Sequence, residues 1–221
     1  MQTARSITML IDMKVSGKRV LVVGGGKVGE RKIMALLREG AEVTVASKRF
    51  TERLMSLGRT GKIEVKRIRK GASSQIKRLL SRSDLAIVAT DDEDLNYGLA
   101  EKARVSKIPI CVVDNPEICD FYFPATTDFG NLKIAVSTGG KSPAMAGILR
   151  RRLERSVTNE DVLQVELQSY ARGLLRSRDV DSSVRKKILY DIIKNRKVSS
   201  LLRRGRLEEA KKIARGIIKT V

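Results

Sequence analysis

The chain has 221 residues, 42% of them hydrophobic and 32% charged, which supplies a packed core and excludes a disordered chain. Lys and Arg number 45 against 25 Asp and Glu, a net charge of +20. Such a charge attracts polynucleotides and polycarboxylates alike, but aromatic residues reach only 4% and Trp is absent, so platforms for stacking single-stranded bases are poorly supplied.

The chain contains no His, which removes the commonest general base and metal ligand, and no metal site is read. Cys111 and Cys119 are too few for a disulfide framework and are not spaced as a metal knuckle; they are expected to act as small hydrophobes. No apolar run approaches the roughly 20 residues of a membrane span. Residues 1–12 lack the long apolar stretch and cleavage site of a secretory leader. A cytoplasmic protein without a membrane partner is expected.

The first half alternates between two periodicities. Arg19–Val23 is nearly all apolar, as a strand buried on both faces should be. A glycine cluster follows, then a helical stripe of Ile33, Leu36 and Leu37 that Gly40 closes. Glu42–Ala46 predicts a second strand, Thr51–Leu57 a helix, Ile63–Val65 a third strand and Ser74–Leu80 a helix. Leu85–Ala89 predicts a fourth strand, Asp94–Lys107 a helix carrying Leu95, Leu99 and Ala103, and Pro109–Val113 a fifth strand. This alternation predicts an α/β fold, a Rossmann-type doubly wound parallel sheet.

After residue 114 the pattern changes. Residues 116–124 read as a turn and a short aromatic strand, Phe121-Tyr122-Phe123, with a further strand over Leu132–Ser137. Ser142-Pro143 is a good N-cap and first-turn pair for a helix running to about Arg155. From Asn159 the chain reads as helical, with one stripe of Leu163, Leu167, Tyr170 and Leu174. A second holds Val184, Ile188 and Ile192, and a third Leu207, Ala210, Ile213 and Ile217. The expected division is a dinucleotide-binding domain over 1–115, a small α+β segment over 116–155 and a C-terminal helical region over 156–221.

Three clusters carry chemistry. Gly24-Gly25-Gly26-Lys27-Val28-Gly29 contains G-x-G-x-x-G between a strand and a helix, so a pyrophosphate can sit on the helix N-terminus. The acid usual at the end of the second strand is missing. Ser47, Lys48 and Arg49 stand there and by charge alone favour the 2′-phosphate of NADP. Next, Asp114-Asn115-Pro116 follows the fifth strand, where open α/β sheets bind ligands; Asp114 there is either a general base or an Asx-turn residue. Third, Ser137-Thr138-Gly139-Gly140-Lys141 leads into a helix N-terminus and suits an anion, a carboxylate among others.

Five motifs occur in one order: Gly24 to Lys32, Ala89-Thr90-Asp91-Asp92 with Leu95-Asn96, Val113 to Pro116, Cys119 to Pro124, and Val136 to Pro143. Together they resemble the precorrin-2 dehydrogenase and sirohydrochlorin ferrochelatase family, which includes the amino-terminal module of siroheme synthase. The resemblance runs from about Ile11 to about Glu154. It implies NAD as hydride acceptor, with NADP the alternative, and adds Thr90 and Asp91 to the cofactor residues. It implies that Asp114 is the key carboxylate, that Asn115 and Thr138 lie at the substrate site, and that residues 116–155 form a homodimer contact. Precorrin-2, a polycarboxylate, would account for the basic charge without nucleic acid. Ferrous iron is a second substrate where chelatase activity is present. Gly29 departs from the Ala of many relatives. From this length the methyltransferase module of the multifunctional enzyme is not expected in this chain. The competing reading is a nicotinamide-sensing regulator whose basic tail, with Arg203-Arg204 and Lys211-Lys212, binds nucleic acid.

Overall fold

A computed structural model describes residues 8–69, 73–113, 115–178 and 180–219. Two compact units divide it, Met1–Phe123 and Pro124–Val221. The first alternates β1 (Arg19–Gly25), α1 (Lys27–Arg38), β2 (Glu42–Phe50), α2 (Glu52–Arg59) and β3 (Glu64–Arg67), then α3 (Ser73–Leu80), β4 (Leu85–Val88), α4 (Glu93–Ser106) and β5 (Ile110–Val112). All five strands are parallel, in the order β3-β2-β1-β4-β5. The expected Rossmann-type sheet is therefore the observed one.

Alternate residues of the central strand serve opposite faces. Leu21 and Val23 join Ile76, Leu80, Leu99 and Ala103 of α3 and α4 on one side. Val20 and Val22 join Ile33, Leu36 and Leu54 of α1 and α2 on the other. Each such fully buried aliphatic side chain contributes about 1.5–3 kcal/mol by leaving water. The chain reverses after β1 to reach β2 on one side and later β4 on the other. The carboxyl ends of β1 and β4 thus form a switch point, where this architecture opens a crevice.

β2 is longer than expected, because residues 47–50 continue the ladder. Gly25 pairs with Phe50 after an irregularity in register. Gly40 at φ 76 turns the chain out of α1, as expected. The expected aromatic strand is not formed. A short 3-10 turn spans Pro116–Ile118, and residues 121–123 carry no ladder. Phe121 and Phe123 instead pack on the α1/α2 side of the sheet, 5.7 Å apart, with the Lys32 ammonium 3.8 Å above the Phe123 ring. Burial of these rings against the core outweighs their preference for a ladder.

In the second unit β6 (Ala125–Asp128) and β7 (Lys133–Val136) form an antiparallel hairpin. Helix α5 (Pro143–Ser156) packs on it, with Arg150 Nη1 donating to the buried Thr127 hydroxyl at 2.9 Å. Helices α6 (Asn159–Arg176), α7 (Ser182–Lys194), α8 (Arg196–Arg203) and α9 (Leu207–Lys219) follow. A reciprocal capping box of Thr158 and Asp161 starts α6. The helices enclose Leu167, Ala171, Leu175, Ile188, Ile192, Ala210, Ala214 and Ile218. The sequence stripes supply Leu167, Ile188, Ile192 and Ala210 to this core, while their Tyr170, Leu174, Ile213 and Ile217 flank it half-buried. No helix among the described residues is long and apolar enough to cross a membrane.

Candidate functional site

The glycine loop sits at the carboxyl end of β1, and its glycines have separate reasons. Gly24 has φ +116, and a β-carbon there would lie 2.1 Å from the Ala89 carbonyl oxygen. One on Gly25 would lie 2.4 Å from the Arg49 carbonyl oxygen, and one on Gly29 2.1 Å from that of Gly24. Those positions are closed by the protein itself. Gly26 differs, with an ordinary φ of −81 and nothing within 4 Å of the place of a β-carbon. It is the N-cap of α1, yet no side-chain hydrogen bond caps the helix there. First-turn N–H groups uncapped beneath open space fit a pyrophosphate. Gly26, Lys27 and Val28 are exposed there.

Two further stretches named from the sequence converge on this loop. Thr51 N donates to the Gly25 carbonyl at 3.0 Å, which holds the end of β2 beside it. Lys48 and Arg49 are exposed and Ser47 is half-buried on that extension. From the other side, Ala89 N donates to the Val23 carbonyl at 2.7 Å, bringing Thr90 and Asp91 to the same rim. A cleft of about 250 Å³ adjoins it, lined by Lys48, Ile68, Arg69, Asp92, Asp94 and Leu95 among others. Its lining carries two cations, Lys48 and Arg69, and two carboxylates, Asp92 and Asp94.

In the sequence Asn96 stands out only as part of the Ala89–Asn96 motif. The structure shows its work. Asn96 is 7% exposed. Thr90 Oγ1 donates to Asn96 Oδ1 at 2.6 Å, and Asn96 Nδ2 donates to the Thr90 carbonyl at 3.0 Å. This bracket fixes the turn from β4 into α4, whose N-cap Asp92 accepts from Leu95 N.

Asp114 lies outside the described residues. Its neighbours follow β5. Val113 N donates to the Val88 carbonyl at 2.8 Å, and Asn115 N to the Val112 carbonyl at 3.3 Å. Beyond them the chain turns back along β5, through bonds from Val112 N to Cys119 Sγ at 3.1 Å and from Ile110 N to Asp120 Oδ2 at 2.9 Å.

Ser137, Thr138, Gly139, Gly140 and Lys141 belong to the second unit, between β7 and α5. Gly139 and Gly140 are both left-handed, at φ 60 and 80, so here glycine is a backbone requirement. Ser137 Oγ accepts from Gly139 N at 3.2 Å and Thr138 Oγ1 from Ser142 N at 3.0 Å. Ser142 caps α5 by accepting from Met145 N. Lys141 is exposed beside them. The result is a compact hydroxyl- and amide-rich turn suited to a carboxylate. A larger open hollow of about 630 Å³ between α6 and α9 is lined by Tyr170 and Lys211. Its cation is already engaged, since Lys211 pairs with Glu208 at 2.7 Å and Glu166 at 3.7 Å.

The family model for NAD(P) binding, NAD_binding_7, matches residues 11–125, and the sirohaem biosynthesis protein central model matches residues 130–156. The siroheme synthase of Methylobacillus flagellatus is 40% identical over 147 residues, 66% of this chain and 30% of that protein. That of Methylococcus capsulatus is 33% identical over 204 residues, 92% of this chain and 42% of that protein. The chain thus spans less than half the length of these curated relatives. The solved structure of SirC, precorrin-2 dehydrogenase, shares the fold at a TM-score of 0.71 and 24% identity, covering 93% of this chain and 100% of that one. With more than half of its residues matched, the chain belongs to the NAD(P)-binding family, and it carries the sirohaem-biosynthesis central segment directly after that match.

Proposed function

We propose that this chain is an NAD-dependent precorrin-2 dehydrogenase, which oxidises precorrin-2 to sirohydrochlorin in siroheme biosynthesis. One observation carries the reading. A dinucleotide cradle at Gly26 and a carboxylate-suited turn at Gly139-Gly140 occur in one chain, the second within the matched sirohaem segment. The siroheme synthases and the precorrin-2 dehydrogenase SirC that the chain resembles agree with it.

Gly24, Gly25, Gly26, Lys27 and Val28 would hold the pyrophosphate on α1, with Ser47, Lys48 and Arg49 at the ribose and Thr90 and Asp91 on the β4 side. The bound nicotinamide supplies the two-electron acceptor. The chain supplies position and proton handling. Asn115, Ser137, Thr138, Gly139, Gly140 and Lys141 bind and orient the carboxylates of the substrate. Asp114 accepts the proton that leaves the macrocycle, in a chain without histidine to do so. The same carboxylate is the group to receive pyrrole protons if ferrous iron is inserted. This chemistry belongs in the cytoplasm.

The reading includes a homodimer through residues 116–155. A two-stranded hairpin is marginal in water, and α5 leaves Met145 46%, Ile148 42% and Leu153 42% exposed. Sedimentation at micromolar concentration should give twice the 24.5 kDa chain mass; a monomer overturns the dimer.

The decisive experiment is anaerobic incubation with precorrin-2 and NAD. Sirohydrochlorin absorbance should rise in step with NADH, and no NADH above the enzyme-free control would refute the activity. Ferrous iron added afterwards tests insertion. An absorbance change no faster than without enzyme confines the chain to oxidation.

A further inference from the structure

We propose that Cys111 and Cys119 are an oxidisable pair that closes into an intrachain disulfide when the protein meets hydrogen peroxide. The sequence gives no hint of this, because seven residues separate two cysteines in a chain with no others. The fold supplies the geometry. Asp120 N donates to the Ile110 carbonyl at 2.8 Å and Ile110 N donates to Asp120 Oδ2 at 2.9 Å, which sets residue 120 against residue 110. One step inward on this antiparallel return, residue 119 opposes residue 111. The two cysteines thus lie on neighbouring runs of chain, and a disulfide bridges α-carbons about 4.4–6.8 Å apart. The Cys119 sulfur reaches the main chain of the residue next to Cys111, 3.1 Å from Val112 N and 3.0 Å from the Val112 carbonyl oxygen.

The two thiols are not equivalent. Cys111 is buried at 5% exposure, whereas Cys119 is half-buried. Cys119 Sγ also accepts from Val112 N at 3.1 Å. The Cys111 hydrogen bond first, and the Val112 amide second, hold the Cys119 thiol down to about 7, against burial and the nearby Asp120. Cys119 is therefore the attacking sulfur and Cys111 the resolving one.

The Cys119 thiolate attacks one peroxide oxygen and the O–O bond breaks. The sulfur becomes a sulfenic acid, and the departing hydroxide takes a proton to become water. Cys111 then gives up its proton, its sulfur displaces the sulfenic hydroxyl as a second water, and the S–S bond forms. Two thiols lose two electrons and two protons, and the peroxide is reduced to two waters. The bond ties off the segment that contains Asp114 and Asn115. Any effect on turnover rests on the proposed function; the bond does not.

The test uses the reduced full-length protein, exposed to hydrogen peroxide and quenched with catalase. The expected product is two hydrogens lighter, has no titratable thiol, and yields a Cys111–Cys119 cross-linked peptide within one chain. Dithiothreitol reverses all three. Alkylation of Cys119 in the untreated protein should rise through pH about 7, and Cys111→Ala, which removes the donor, should move that rise upward. Sulfinic acid at Cys119 with the Cys111 thiol intact, or cross-links only between chains, would overturn the pair. A cross-linked chain whose reduced form never oxidises precorrin-2 would refute the proposed function and leave the pair standing.

Discussion

Gly24 and Ala89 approach so closely that a β-carbon on the first would lie 2.1 Å from the carbonyl oxygen of the second. The crevice between β1 and β4 is thus made by main chain against main chain. Gly24→Ala must move one of the two central strands and adopt a φ of +116 with a side chain. It should cost on the order of 3 kcal/mol or more. Gly26→Ala meets nothing and should stay within about 1 kcal/mol of the parent. It should nevertheless weaken NAD binding by roughly tenfold or more, and Gly26→Asp should abolish it, because the new atoms occupy the approach of the pyrophosphate. Thermal denaturation beside calorimetric titration with NAD separates the two. Equal loss of stability at both positions would contradict a glycine kept for the ligand.

The expected cofactor preference is NAD over NADP. Lys48 and Arg49 argue the other way by charge, but the cleft that Lys48 lines with Arg69 also holds Asp92 and Asp94, which offset its cations. A catalytic efficiency with NADP about tenfold above that with NAD, a difference of roughly 1.4 kcal/mol, would reverse the assignment.

Asp114→Ala should fold, bind NAD and fail to form sirohydrochlorin. Asp114→Asn distinguishes charge from shape, since both residues form Asx-turns. If the carboxylate handles a proton, the Asn variant should lose on the order of 10²-fold or more. Near-normal turnover in that variant would make Asp114 a turn residue.

Asn96→Ala strands the Thr90 hydroxyl and carbonyl together. A lost bracket of this kind costs about 1–3 kcal/mol, and the loosened turn should also weaken NAD binding. Chemical denaturation checks the first effect and titration the second. A variant as stable as the parent would show that the bracket holds nothing.

The elements legible in the sequence are those whose burial writes itself into composition. β1 and β4 are covered on both faces, so they read as apolar runs. β6, Ala125-Thr126-Thr127-Asp128, carries no such mark, and Phe121-Tyr122-Phe123 has the stronger strand propensity. Only the packing of Phe121 and Phe123 on the sheet decides between them. In the helical unit, Ala171 and Ala214 lie at the centre of the contact, but a small residue adds little to a stripe of leucines. The glycine loop was legible because its local order carries its chemistry. The Thr90–Asn96 bracket and the Cys111–Cys119 pairing were not, because each depends on where a turn returns the chain.

That return of the chain along β5 also settles the rim of the sheet. β5 is an outermost strand, and outermost strands invite pairing with other molecules. Here the outward main-chain groups are occupied from within. Ile110 N goes to Asp120 Oδ2 and the Ile110 carbonyl to Asp120 N, while Val112 N goes to Cys119 Sγ and the Val112 carbonyl accepts from Asn115 N and Cys119 Sγ. A strand from another chain arriving at this rim meets neither donor nor acceptor at these two residues. The return segment therefore guards a highly apolar sheet against aggregation, with side chains and main chain together, so the sheet ends at five strands without needing a sixth.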